Sequence, residues 1–283
     1  MKVKLVLDST IAYTVEQAKE HDVAITPFHV MYQDKNLLDC VDILPEEFYD
    51  LQERGVEAST SQPNVASTMG LFSELLKEYD HVVYCVLPAE LSGTYNAGML
   101  AASEIDPTRI TVLDIKTGLG AIRHLDKVVK EMVKNNETLD AIIEKCNRLK
   151  YNSHAFFMPY DTKQLHRSGR FGNMASSIFS MIKLKLALQL TQEGYIDKFA
   201  ISRTEAKLYR EMVKKAKEEG YNGDNTIIYL IDTNYPDKIE ELRSKLEEDF
   251  KGAQFEYMHL SPTLGSHIGP KTYSIQFVKK EWS

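Results

Sequence analysis

Apolar positions along the chain fall into two kinds of run. Short, nearly continuous stretches at Val3 to Leu7, Val82 to Leu87 and Arg109 to Asp114 read as buried strands. Between them lie longer segments with apolar residues at helical spacing, as at Val65, Met69, Phe72, Leu75 and Leu76. The same pattern predicts helices over Val15 to Glu20, from Pro45 through Phe48 and Leu51 to near Gly55, and over Ala97 to Ser103, Ala121 to Lys134 and Glu137 to Lys150. Shorter strands are expected at Val23 to Ile25 and Phe28 to Tyr32, with a turn at Asp34-Lys35-Asn36 before Leu37-Leu38. Strands alternating with helices indicate a Rossmann-like α/β domain over residues 1–150, with a parallel, doubly wound sheet covered on both faces.

From Ser153 the rhythm changes. Ala155 to Met158 reads as a strand, Leu165 to Phe171 as a basic, glycine-containing stretch, and Ser176 to Ile182 as a short apolar helix. Leu184 to Thr191 and Tyr195 to Ile201, joined by Gln192-Glu193-Gly194, form a predicted hairpin. A helix at Arg203 to Glu219, a strand at Thr226 to Ile231, a helix at Pro236 to Phe250 and strands at Gln254 to His259 and Thr272 to Val278 complete an α+β domain over residues 151–283 with a mixed or antiparallel sheet. No internal repeat or low-complexity tract interrupts it.

Charge narrows the partners. Lys and Arg number 34 against 41 Asp and Glu, a net −7, which argues against a general grip on nucleic acid or an anionic membrane. No apolar run approaches the length of a membrane span, so stable membrane insertion is not expected. Cys40, Cys85 and Cys146 are odd in number and lack metal-ligand spacing, which points to core thiols in a reducing compartment and to no bound metal. With only a short apolar run before Asp8 the N-terminus lacks a signal-peptide core, and the expected location is cytoplasmic.

Three hydroxyl-rich turns carry the candidate chemistry. Asp8-Ser9-Thr10 ends the first strand, at the edge where doubly wound sheets bind ligands, and also has the composition of a cap for the helix at Val15. Ser59-Thr60-Ser61-Gln62-Pro63-Asn64 places more hydroxyls before a helix than one cap requires. Ser92-Gly93-Thr94-Tyr95 follows a buried strand and opens a helix, which is either an ordinary capped turn or an anion site made of free N–H groups and hydroxyls. Lys116-Thr117-Gly118-Leu119-Gly120 imitates a dinucleotide fingerprint, but Arg123 stands at its third glycine position, so no nicotinamide cofactor is expected. No phosphate-binding loop, nucleophile elbow or HExxH motif is present, and binding is favoured over catalysis, with no catalytic residue assigned. The competing reading is an autonomous α/β hydrolase or transferase acting on a small carboxylate or phosphate, with Ser92 or Ser9 as nucleophile.

Asp8-Ser9-Thr10, Thr60-Ser61-Gln62-Pro63, Ser92-Gly93-Thr94-Tyr95, Ser168-Gly169-Arg170 and His267-Ile268-Gly269-Pro270 together resemble, in order and spacing, the DegV family of bacterial fatty-acid-binding proteins. The resemblance spans essentially the whole chain. It implies two domains enclosing a long-chain fatty acid, no other cofactor, and a role in phospholipid metabolism as the lipid-binding subunit of a fatty acid kinase. Such a subunit has no turnover alone; it presents the carboxylate to a separate ATP-binding subunit that forms an acyl phosphate. Carried onto this sequence, the carboxylate ligands are Thr60 and Ser92, the head-group or kinase-facing residues are Arg170 and His267, and Ser9, Ser61, Gly93 and Thr94 give support. Ile178, Phe179, Met181 and Ile182 are the candidate tunnel wall. The sequence departs from the family pattern at Ser168, at Lys271 and at Tyr13-Thr14.

Overall fold

A computed structural model describes residues 1–160, 162–170 and 184–282. In chain order the N-terminal part contains β1 (Val3–Asp8), α1 (Val15–Glu20), β2 (Ala24–Thr26), β3 (His29–Tyr32), β4 (Lys35–Leu38), α2 (Pro45–Glu53), β5 (Ser59–Ser61), α3 (Val65–Leu75), β6 (His81–Val86), α4 (Thr94–Ile105), β7 (Ile110–Asp114), α5 (Gly120–Lys134) and α6 (Leu139–Arg148). The C-terminal part contains β8 (Ser153–Met158), α7 (Lys163–Ser168), β9 (Lys185–Leu190), β10 (Ile196–Ser202), α8 (Glu205–Glu218), β11 (Thr226–Asp232), α9 (Pro236–Asp249), β12 (Gln254–His259), α10 (Pro262–Ile268) and β13 (Tyr273–Lys279).

The fold is α/β, as expected. Strands β2-β1-β6-β7 form a parallel sheet whose two central strands are buried along their full length, which is why they read as apolar runs. The C-terminal sheet, ordered β10-β9-β8-β13-β11-β12, is mixed, with β11 and β12 parallel and the other pairs antiparallel.

Several local expectations need correction. Lys35 and Asn36 belong to strand β4 rather than to a turn, because the reversal comes earlier, at Gln33 with φ 50°. Ser59 to Ser61 is also a strand, not a loop: β5 pairs with β3, and together with β4 they make a separate antiparallel sheet. The cap of α1 is Thr14, in a reciprocal box with Gln17, whereas Asp8 caps a 3₁₀ turn at Ser9–Ile11. Of the basic stretch beginning at Leu165, the residues through Ser168 are helical, ended by Gly169 at φ 66°. His267 lies in helix α10, a helix not expected from the sequence; Ser261 caps it and Pro262 opens it. The helix expected over Ser176 to Ile182 lies outside the described residues.

One apolar core runs through the space between the two large sheets, from Leu5 and Val83 of the first to Tyr229 and Ile231 of the second. Polar clamps fix their relative position. Tyr49 of α2 donates its hydroxyl to the carbonyl of Leu260 at 2.7 Å, and the fully buried Gln276 of β13 bonds both Gly118 O and Ala121 N–H at 3.0 Å. All three cysteines are buried.

Candidate functional site

The C-terminal ends of the parallel strands meet the C-terminal part of the chain around a cavity of about 370 Å³. Thr60, Ser92, Arg170 and His267, spread across more than two hundred positions of sequence, all line it. The rest of the wall is chiefly apolar, including Phe28, Leu87, Leu91, Leu119, Phe157, Leu190, Ile196, Leu260 and Ile268.

Two of the predicted hydroxyls are held from behind. Thr60 Oγ1 lies 2.8 Å from His267 Nε2. Ser92 Oγ lies 2.8 Å from Thr94 Oγ1 and accepts the Thr94 N–H at 3.3 Å. The segments carrying them touch, since a Cβ built on Gly93 would stand 2.2 Å from Gln62 Oε1. Ser61 and Gly93 line the cavity; Thr94 does not, acting instead through Ser92. Ser9 is also absent from the wall. It is fully buried, donating to Asp39 Oδ2 at 2.6 Å and accepting the Phe28 N–H at 3.0 Å, while its neighbour Thr10 reaches the cavity.

His267 is neutral at physiological pH. Burial, reinforced by the positive charge of Arg170, lowers its pKa from the ordinary 6.5 to about 4. A folded-state pKa below the unfolded one means that the unfolded chain takes up a proton first as pH falls. His267 therefore contributes stability that is complete above about 6.5 and lost as pH drops toward 4. The stability difference between parent and His267→Asn should shrink by at most on the order of 3 kcal/mol between pH 7 and 4, as followed by urea unfolding. A difference independent of pH would show that the imidazole is not held neutral by its surroundings.

Arg170 is exposed at the cavity edge. Its Nη1 donates to Ser168 O at 2.8 Å and its N–H to Ser168 Oγ at 3.3 Å, so the serine that departs from the family pattern orients the arginine. Lys271, the other departure in these motifs, is exposed and sits in left-handed backbone at φ 54°.

Two buried carboxylates frame the site: Asp8, from a motif the sequence singles out, and Asp39, which sequence reasoning missed. Asp8 accepts from Thr10 N–H at 3.0 Å, from the Thr10 hydroxyl and from Leu87 N–H at 2.7 Å, and so clips the ends of β1 and β6 together. Burial raises its pKa. Asp39 takes the Ser9 hydroxyl and, at 3.2 Å, the Thr263 N–H, which anchors the start of α10. Its pKa is pushed up to about 6 by burial. Leu260 and the α10 wall residues Thr263 and Leu264 were missed too, although Ser261-Pro262 is a legible helix start. Ile178, Phe179, Met181 and Ile182 lie outside the described residues.

The hairpin β9–β10 contributes Leu190 and Ile196 to the wall. At its tip, Gly194 has φ 91° and sits so close to Pro88 and Glu90 that a Cβ would come within 2.8 Å of both. Among the described residues no group of three or more metal-ligating side chains occurs, and no helix is long and apolar enough to cross a membrane.

Residues 2–280 match the family model described as "Uncharacterised protein, DegV family". A DegV domain-containing protein of Halalkalibacterium halodurans is 27% identical over 272 residues, covering 95% of each chain. Among solved structures, a fatty-acid-binding DegV family protein of Thermus thermophilus is 25% identical, with TM-score 0.89 over 99% of this chain and 100% of that one. A stearic-acid-binding protein of Eubacterium ventriosum is 22% identical, with TM-score 0.83 over 98% of each chain, and shares the fold.

Proposed function

Because the chain belongs to the DegV family, we propose that it binds a long-chain fatty acid, with the carboxylate at Thr60 and Ser92 and the tail in the apolar cavity between a domain over 1–150 and one over 151–283. The observation that carries this reading is that two back-bonded hydroxyls, an arginine and a neutral histidine share the wall of one largely apolar cavity.

A buried carboxylate is costly unless its oxygens receive hydrogen bonds. In the neutral tautomer with the proton on Nε2, His267 donates to Thr60 Oγ1, which turns the Thr60 proton toward an acceptor in the cavity. Thr94 plays the same part for Ser92 when its hydroxyl donates to Ser92 Oγ. Each hydroxyl then has one proton left for the ligand, and hydrogen bonds to an ionised acceptor are the strong kind. Every buried methylene adds roughly 0.8 kcal/mol, so about fourteen carbons supply on the order of 11 kcal/mol before ordering costs.

The exposed guanidinium of Arg170 suits a second task. It supplies a planar, bidentate donor for a phosphate arriving on the carboxylate, in keeping with presentation of the acid to an ATP-binding kinase subunit. No nucleophile role is favoured for Ser92 or Ser9: Ser92 is bonded to Thr94 and Ser9 to Asp39, whereas the histidine of the site bonds Thr60.

Organic extraction of the purified protein followed by mass spectrometry tests the binding reading: one fatty acid per chain is expected. An empty protein that turns over ester substrates would overturn it. For Arg170→Ala we expect unchanged lipid content and loss of acyl phosphate formation with the kinase subunit; undiminished phosphorylation removes Arg170 from the transfer step.

A further inference from the structure

Gly118 is a buried glycine with an empty side. It lies in the connection from β7 to α5 and lines the cavity. Three other buried glycines, Gly98, Gly120 and Gly265, are packed against tyrosine rings: a Cβ would meet Tyr84 at 2.9 Å from Gly98, Tyr229 at 2.0 Å from Gly120 and Tyr49 at 2.5 Å from Gly265. At Gly118 a Cβ would meet no heavy atom of the described residues within 4 Å, and the backbone is not in the left-handed region. A position that is closed to solvent yet open beyond its Cα faces an internal space, and the space at Gly118 is the ligand cavity.

The connection around it is rigidly held. Gln276 Nε2 donates to Gly118 O and Gln276 Oε1 accepts the Ala121 N–H, both at 3.0 Å, while the Thr117 and Ser153 hydroxyls lie 3.0 Å apart. Leu119, which also lines the cavity, sits at φ 64° and ψ −136°, a backbone conformation that side-chain-bearing residues avoid. Such strain persists only where the surroundings over-determine it, and it gathers at functional sites.

We infer that Gly118 and Leu119 are the gauge that sets which acyl chains fit. The missing side chain of Gly118 is room reserved for the tail, the pinned backbone keeps that wall from yielding, and strained Leu119 holds its side chain against the same space. Carbons added at position 118 must therefore be subtracted from the ligand. This inference rests on the fatty-acid-binding reading above.

The test offers the parent, Gly118→Ala, Gly118→Val, Leu119→Gly and, as a control, Gly70→Ala with an equimolar mixture of straight-chain fatty acids from laurate to arachidate. Gly70 lies on an exposed position of α3 with equally open space around it. Bound acids are then identified by mass spectrometry. We expect a shift to shorter acids in Gly118→Ala and a larger one in Gly118→Val, where the longest acid held by the parent falls at least about tenfold in share, since one methylene in an apolar pocket discriminates by roughly 10- to 200-fold. Leu119→Gly should admit longer acids, and Gly70→Ala should match the parent. A parent loaded with fatty acid beside variants at 118 and 119 with an unchanged profile overturns the gauge alone. A parent that takes up none of the acids overturns the binding reading itself. Leu119→Gly and Gly118→Ala keep the question open to test if Gly118→Val does not fold.

Discussion

Thr60→Ala and Ser92→Ala combined should yield a folded protein that releases its fatty acid. Each hydroxyl in the proposed site donates to an ionised oxygen, a bond worth about 1.5–3 kcal/mol. The pair then accounts for roughly two to four orders of magnitude in affinity. Because both act on one carboxylate, the single variants should not sum to the double one, and a double-mutant cycle should return a coupling energy rather than zero. Co-purified lipid by mass spectrometry and displacement of a fluorescent fatty acid give the two readouts. Parent-like retention in the folded double variant would place the carboxylate elsewhere and remove the central assignment of the site.

The second large effect is on stability. Asp8→Ala should cost about 2–4 kcal/mol, because it strands the buried N–H groups of Thr10 and Leu87 and the Thr10 hydroxyl. Burial raises the Asp8 pKa, so the ionised form is already penalised and its removal returns part of the loss. Asp8→Asn, which keeps one acceptor oxygen, should fall between parent and alanine. Urea unfolding with an unchanged slope and a lowered midpoint is the expected signature. Because Thr10 and Leu87 both line the cavity, the alanine variant should also hold lipid less firmly. A loss under about 1 kcal/mol would mean that the ends of β1 and β6 are held together by something other than this carboxylate.

Legibility in the sequence followed the range of each interaction. Helices α3, α5 and α6 and the strands β1, β6, β7 and β11 were readable because periodicity and caps are local. The three-stranded sheet was not, because the polar residues of β5 carry no strand signal and are extended only by pairing with β3. Helix α10 escaped notice because it is short, and its glycine and small residues dilute any apolar stripe. Thr60, Ser61, Ser92, Gly93, Arg170 and His267 follow from an ordered set of small motifs, and all six line the cavity. Asp39 and Thr263 do not, and Gly118 is legible only as part of a dinucleotide-like turn, since nothing adjacent to them in sequence marks a buried carboxylate, a wall hydroxyl or an empty glycine side.

The order of apolar and polar positions by itself determined that this chain builds an α/β parallel sheet followed by a mixed one, because strand and helix periods are properties of consecutive residues. Only the tertiary structure decided that Thr60 meets His267, that Gln62 abuts Gly93, and that a space opens beside Gly118. Those pairings join residues far apart in the chain, and periodicity says which face of an element is buried but not which distant face covers it.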